Sequence, residues 1–454
     1  MKKPNILFLM TDQQRWDCVG ANGNKLIQTP HLDALARDSV NFSHSFASAM
    51  ACVPSRACIM TGQHVTAHGV RSTAGTQWLQ PGTPTLPGVF RDHGYHTVSV
   101  GKTHFKPWHS LWGFERRVAV ESKYDISQGK DEYRVVLREL GLSDKTVGHH
   151  TPGFGAAFKS MASSELPPDY YIDSYIGRRG VETLNEVTED GHPFFLAVSF
   201  CGPHDPFDPP PPYSEMYDHE KMPTGLFREG ELECLPEEIL SKVRDMGKEH
   251  LDLTRVPLEK RKEIAAHYYG NISLIDDWVG RLIDGLKQKG LYQDTLIVFT
   301  SDHGEYLGDH SLYYKGFFPC DSDTRVPLII KAPGFSPGIC PELVGNVSLM
   351  PTLLDLCGLP IPDTVQGRSV KKIMKGSEPG DEAVVTFSEQ GPAWRIRTKE
   401  WAYVYREGHG HDQLYNLADD PHELENLAEN SDQSEQRHCM LRLLFKHLAI
   451  SSSS

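Results

Sequence analysis

Four short stretches of the chain carry the side chains that chemistry uses, and each directly follows an apolar run. Thr11-Asp12-Gln13 follows Ile6–Met10, and Gly101-Lys102-Thr103-His104 follows Thr97–Val100. Cys201-Gly202-Pro203-His204 follows Phe194–Phe200, and Ser301-Asp302-His303-Gly304 follows Leu296–Thr300. Taken singly, a Ser/Thr-Asp pair after a strand is a helix cap, and a lone histidine is a hydrogen-bonded structural residue. Gathered at one sheet edge they read as a site, because open α/β sheets bind ligands outside the carboxyl ends of their strands. Asp12, Gln13, Asp302 and His303 form the donor set of a hard divalent cation. Their oxygens suit Ca2+, Mg2+ or Mn2+, and the His303 nitrogen leans slightly away from an all-oxygen calcium cage. Gly101-Lys102-Thr103 is not the tail of a phosphate-binding loop, since the glycine that such a loop needs at position 96 is His96. Lys102 reads instead as a point charge at the strand edge.

A further segment, residues 51–62, reads A-C-V-P-S-R-A-C-I-M-T-G. Pro54 fits the first turn of a helix, so Cys52 falls at a helix N-terminus, where a thiolate or another anion is favoured. Arg56 lies one turn further along the same face. Cys58, Cys201 and Cys357, in apolar surroundings, read as packing residues.

These residues need a scaffold of buried strands. The apolar runs named above, with Val326–Ile330, are continuous rather than alternating, the pattern of parallel strands covered on both faces. Helical patterns separate them at 31–39, 54–60, 87–93, 172–188 and 258–289. In the last, Ile264, Tyr268, Ile272, Ile275, Val279, Leu282 and Leu286 keep one apolar face. Strands alternating with helices predict an α/β fold on a doubly wound, mostly parallel sheet flanked by helices. Residues 107–170 and 203–257 lack periodicity and read as long insertions over the sheet, the usual seat of specificity. Within them His149, His150 and Pro209–Pro212 read as solvated loop, with a cleft-lining role as the alternative. Short alternating runs at Ala383–Phe387, Trp394–Thr398 and Trp401–Tyr405, then a helix around Arg437–Leu448, predict a small C-terminal α+β subdomain with an antiparallel sheet. The expected division is 1–372 and 373–454.

Composition bounds the function. The 454 residues carry 46 Lys plus Arg against 60 Asp plus Glu, a formal charge of −14. That excludes nucleic-acid binding through bulk positive charge and sits awkwardly with an anionic substrate. Nine cysteines, an odd number over a long chain, exclude a disulfide scaffold. The apolar run after Lys3 is too short for a signal peptide, and no run reaches the roughly 20 apolar residues of a membrane span. The expectation is a cytoplasmic protein with reduced thiols and no membrane partner. Nothing in the sequence sets an oligomeric state.

The segment C-x-P-S-R-x-x-x-x-T-G, with Cys52, Pro54, Ser55, Arg56, Thr61 and Gly62, resembles the signature of the type I sulfatases of the alkaline-phosphatase superfamily. Further blocks are similar in the same order. They are N-I-L-F-L-M-T-D at 5–12, G-Y-H-T-V-S-V-G-K-T-H at 94–104 and S-D-H-G-E-Y-L-G-D-H at 301–310. Lys315, R-V-P-L at 325–328 and L-Y-N-L-A-D-D-P-H-E-L-E-N-L-A at 414–428 complete the series. The chain departs from the commonest family pattern at Gln13 and His303, where many members have Asp and Asn.

The resemblance implies an alkaline-phosphatase-like fold and hydrolysis of a sulfate monoester, aryl or carbohydrate. It implies that a separate maturation enzyme oxidises Cys52 to Cα-formylglycine. It also implies one divalent ion, calcium first and Mn2+ or Mg2+ as alternatives, on Asp12, Gln13, Asp302 and His303. One hydroxyl of the hydrated aldehyde attacks sulfur, the alcohol leaves, and deprotonation of the second hydroxyl expels sulfate. By position, Arg56 and Lys102 hold the diol and the developing charge, and His104 takes the second hydroxyl's proton. His204 and Lys315 hold the sulfate and protonate the leaving oxygen. Asp205 and His310 are left as supporting groups. Two other readings stand beside this one. A phosphonate monoester or phosphodiester hydrolase of the same superfamily is disfavoured by Lys102-Thr103-His104. A non-catalytic anion-binding homologue would keep Cys52 unmodified.

Overall fold

The computed structural model describes residues 3–74, 78–124, 131–146, 163–244, 253–390, 392–408 and 410–452. Its main sheet comprises β1 (Asn5–Asp12), β2 (Val40–Phe46), β3 (His96–Gly101), β4 (Arg116–Ala119), β5 (Phe194–Pro203), β6 (Thr295–Ser301), β7 (Leu328–Lys331) and β8 (Gly338–Gly345). Their order across the sheet is β4-β3-β5-β1-β6-β7-β2-β8. All run parallel except β7, which is antiparallel to both β6 and β2. The parallel direction expected for Val326–Ile330 is therefore corrected: continuous burial reports a strand covered on both faces and carries no information about direction.

β1 lies at the centre, and Ile6 to Asp12 are all buried. Alternate residues face opposite layers. Leu7 and Leu9 join Val98, Leu196 and Val198 under α2 (Ile172–Val187) and α3 (Leu258–Gln288), which contribute Ile176, Leu184, Ile275, Val279 and Leu282. Ile6, Phe8 and Met10 join Phe195 and Ala197 beneath Ile59 and Met60 of α1 (Cys52–Thr61). Each fully buried side chain of this size contributes about 1.5–3 kcal/mol, so both layers hold the strand ends firmly.

Residues 384–416 form a second sheet of β9 (Val384–Ser388), β10 (Ala393–Arg397), β11 (Trp401–Arg406) and β12 (Gln413–Asn416), antiparallel throughout. α4 (Ser434–Ser452) packs Met440 and Leu444 against Ile396 and Tyr403 of that sheet. Three bonds stitch β9 to the segment that leads into α1: Met50 N to Phe387 O (2.9 Å), Phe387 N to Ser48 O (3.0 Å) and Thr386 Oγ1 to Ala47 O (2.6 Å). Residue 372 falls in a single helical turn, Lys371–Met374, whose Ile373 and Met374 pack with the main sheet.

The stretch 107–170 is not wholly inserted loop, since it supplies edge strand β4 and a helix at Glu132–Glu139. His149 and His150 lie outside the described residues. Pro209 lies against the long helix, 3.1 Å from where a Cβ on Gly270 would stand. Among the described residues, no helix is long and apolar enough to cross a membrane. All nine cysteines are free.

Candidate active site

The register of the sheet fixes which side chains meet. At their carboxyl ends Thr11 pairs with Ser301 and Asp12 with Pro203, so β1, β5 and β6 deliver Asp12, His204, Asp302 and His303 to one edge. β3 adds Lys102 and His104 just beyond Gly101. Gly101 has φ +97°, and a Cβ there would stand 2.0 Å from Ser199 O, so the close approach of β3 to β5 needs glycine. α1 opens at Cys52 and points its first turn at this edge.

Cys52 Sγ lies 3.1 Å from Lys315 Nζ, 3.3 Å from His303 Nε2 and 3.6 Å from Asp12 Oδ1. Lys315 Nζ also donates to Gln13 Oε1 at 2.8 Å and stands 3.1 Å from His303 Nε2. Lys102 Nζ pairs with Asp12 Oδ2 at 2.8 Å. Arg56 is buried, and its donors go to the carboxylates and their supports. Nε reaches Asp302 Oδ2 (2.8 Å), Nη2 Asp12 Oδ2 (3.0 Å), and Nη1 both Lys102 O (2.7 Å) and Ser199 Oγ (2.9 Å). This geometry makes Arg56 a brace for Asp12 and Asp302, a contact that its place in the motif did not disclose.

The histidines differ in what holds them. His303 Nδ1 lies 2.9 Å from Gly304 O, which puts the proton there and turns Nε2 toward the cluster as an acceptor. His204 Nδ1 lies 2.9 Å from Asp205 O and 3.1 Å from that residue's carboxylate, which also accepts from Tyr124 OH at 2.8 Å. His104 sits at φ 53°, its N–H held by buried Glu121 at 2.8 Å, and its own Nδ1 is buried without a hydrogen-bond partner. His310 pairs with Glu231 at 2.9 Å and packs, tilted, against the Phe318 ring rather than joining the cluster.

Charge follows from burial and neighbours. Burial pushes the Asp12 carboxyl up, but the charges of Lys102, Lys315 and Arg56 outweigh it and hold it well below the usual range. Burial and then Lys102 hold His104 well below the ordinary imidazole value; burial and then Lys315 do the same to His204. Burial, reinforced by Asp12, pushes the Cys52 thiol up to about 11. Burial beside a carboxylate thus works against the charge that the helix N-terminus favours at this position.

Asp12, Cys52, Asp302 and His303 are all buried and each offers a donor atom within 4.8 Å of the others. Gln13 Oε1, His303 Nε2 and Cys52 Sγ converge as acceptors on one ammonium group, that of Lys315. Two carboxylates, an amide oxygen and an imidazole nitrogen around a point that already attracts positive charge fit a divalent ion.

Several supports escaped the sequence reading. Ser55 Oγ donates to Asp302 O at 2.6 Å and accepts from Asn346 Nδ2 at 2.9 Å. Glu305 receives the Gln13 side-chain amide. Ser55 and Glu305 stand inside quoted blocks, which was the available signal. Glu121 and Asn346 stand in no motif.

A buried cluster of donor atoms facing a helix N-terminus, at the strand ends of a doubly wound sheet, is the arrangement of an alkaline-phosphatase-like fold. The sulfatase family profile matches residues 4–359, and the profile described as N-sulphoglucosamine sulphohydrolase, C-terminal, matches residues 308–449. An arylsulfatase of Clostridium perfringens is 30% identical over 98% of this chain and 94% of its own. A choline-sulfatase of Rhizobium meliloti is 30% identical over 94% of this chain and 83% of its own. Among solved structures, the phosphonate monoester hydrolase of Agrobacterium radiobacter superposes with a TM-score of 0.85 at 27% identity, covering 99% of this chain and 96% of that one. The chain belongs to the sulfatase family and is a sulfuric ester hydrolase.

Proposed function

We propose that the chain hydrolyses a sulfate monoester, aryl or carbohydrate, with Cα-formylglycine formed at position 52 by a separate maturation enzyme. The observation that carries this is the placing of Cys52 Sγ, at the start of α1, within 3.6 Å of Lys315, His303 and Asp12. The hydrated aldehyde supplies two hydroxyls, one to attack sulfur and one whose deprotonation releases sulfate. Asp12, Gln13, Asp302 and His303 would hold one divalent ion, calcium ahead of manganese or magnesium, and when bound it polarises the attacking hydroxyl.

The chain's own residues do the rest. Arg56 keeps Asp12 and Asp302 in place. Lys102, beside Asp12, faces the charge that develops at the reacting group. His104, neutral and with Nδ1 unpartnered, accepts the proton of the second hydroxyl. His204 and Lys315 hold the sulfate oxygens and give a proton to the departing alcohol. Residues 1–372 make up the catalytic domain, with 373–454 as a subdomain bound to its flank.

The second reading, phosphonate monoester or phosphodiester hydrolysis, is favoured by the likeness to the Agrobacterium enzyme. Relative kcat/KM on aryl sulfate, phosphonate monoester and phosphodiester substrates separates the two. Sulfate esters are expected to react fastest; faster turnover of the phosphorus esters would reverse the order of the readings.

A further inference from the structure

Of the histidines at the strand ends, His303 and His204 have rings fixed from behind, each with a carbonyl oxygen 2.9 Å from Nδ1. His104 has no such tie, since its Nδ1 is buried without a hydrogen-bond partner. Its ring is placed through its backbone, and that backbone is unusual. After β3 the chain turns at Gly101, φ 97°, and again at His104, φ 53°, a conformation uncommon for a residue with a side chain. Lys102, between the two turns, is tied to β5 by its N–H on Ser199 O at 2.8 Å. The second turn is tied to Glu121. β4 ends beside β3 with Gly101 paired to Ala119, and Glu121 lies two residues beyond that pair. Its Oε2 accepts the His104 N–H at 2.8 Å, and its Oε1 accepts the Thr103 hydroxyl at 2.9 Å. Arg117 Nη2 donates to Oε1 and to the same hydroxyl, while its Nη1 donates to Trp108 O at 2.9 Å. Glu121 is fully buried. A left-handed residue persists only where its surroundings over-determine it. Here one carboxylate takes donors from two consecutive residues, and Arg117 steadies the carboxylate.

We propose that Glu121 is a positioning residue: by holding the Thr103–His104 turn it sets where the His104 imidazole stands, and so governs the release of sulfate rather than the departure of the alcohol. The assignment rests on His104 being the base that takes the proton of the second hydroxyl. In that step the proton passes to His104 and the electrons of the O–H bond close the aldehyde carbonyl. The carbon–oxygen bond to sulfate breaks, and its electron pair leaves with sulfate. Misplacing such a group by about 1 Å costs about a hundredfold in rate.

The test has two readouts. Hydrogen exchange followed by mass spectrometry, on full-length chains that keep Cys52 as a thiol, reads the hold on His104 by itself. Steady-state and rapid-mixing kinetics of the matured enzyme on an aryl sulfate read its consequence. Glu121→Gln offers one acceptor oxygen, which the donor-only Arg117 draws to itself, leaving an NH2 group against the His104 N–H. Exchange is expected to quicken in the segment 102–105 alone. The kcat is expected to fall about a hundredfold, while kcat/KM, which ends at alcohol release, changes far less. Each site then frees one alcohol quickly and turns over slowly. Glu121→Asp keeps the charge beside Arg117 but withdraws the carboxylate by one methylene from His104. It is expected to show the same pattern, and it decides the matter where Glu121→Gln does not fold. Unchanged exchange, unchanged kcat, or equal losses in kcat and kcat/KM overturn the proposal. So does failure of both variants to fold, which makes Glu121 a folding residue only. His104→Ala separates the underlying reading. If it lacks the split between kcat and kcat/KM, the base lies elsewhere and the proposal falls with that reading; if it shows the split and the Glu121 variants do not, the proposal alone falls.

Discussion

Lys315 meets Cys52, Gln13 and His303 from a loop that no periodicity marks, and the proton donation proposed for it is tested most sharply by the leaving group. A general acid contributes about a hundred- to ten-thousandfold when the departing alkoxide is poorly stabilised, and much less when it is a good leaving group. Lys315→Ala is therefore expected to cut kcat/KM on alkyl sulfates about a hundredfold or more and on aryl sulfates far less. Equal losses on both would remove Lys315 from proton donation. At this scale the sequence disclosed residues whose types do chemistry at motif spacing: Asp12, Cys52, Lys102, Asp302. It did not disclose Glu121, Glu305 or Asn346, because they act on amides and hydroxyls of other residues, and a carboxylate serving a backbone N–H looks like any buried acid. Arg56 was found, but its partners were not, since its guanidinium reaches three different strand ends.

Elements become legible where burial is uniform. β1, β5 and β6 are central and continuous in apolar character, β3 (HTVSVG) is buried almost throughout beside them, and their ends lead to the candidate site. β2 (VNFSHSF), β4 and β8 are mixed in polarity, so neither alternation nor a run marks them. β10 reaches from the second sheet to the turn Asp321–Thr324 of the main domain through Arg395, whose Nη2 bonds Asp321 Oδ1 at 2.6 Å and Glu423 Oε1 at 2.7 Å, with Arg397 3.3 Å from Asp321 Oδ2. Burial pushes the Asp321 carboxyl up, but Arg397, Arg395 and Arg325 outweigh it and hold it below the ordinary value. A carboxyl lowered on folding stabilises the fold above its unfolded value of about 3.9 and loses that contribution as pH falls through the acid range. Asp321→Asn is expected to cost about 3 kcal/mol at neutral pH, by removing the carboxylate of Arg397 and leaving Arg395 with Glu423 alone. Its stability is then expected to fall less between pH 5 and pH 3 than that of the parent, as read by denaturant unfolding. Parallel pH curves would show that Asp321 does not carry the acid sensitivity of this joint.

For the whole molecule, the formal charge of −14 is a surface property, while the site concentrates the opposite sign. Arg56, Lys102 and Lys315 are gathered around two buried carboxylates at the sheet edge. The second sheet is part of the same device, since β9 bonds the residues 47–50 that lead into the helix bearing Cys52. Overall architecture was legible because a sheet covered on both faces announces itself through continuous runs; the joint between the sheets was not, because it is made of single hydrogen bonds between distant segments. The central claim is that the residue formed at position 52 does the chemistry. It is tested most directly by measuring sulfate ester hydrolysis against the fraction of Cys52 converted to the aldehyde, quantified by peptide mass spectrometry in preparations made with graded amounts of the maturation enzyme. The account predicts a rate proportional to that fraction and vanishing with it. Full turnover by chains that keep a thiol at position 52 would contradict it.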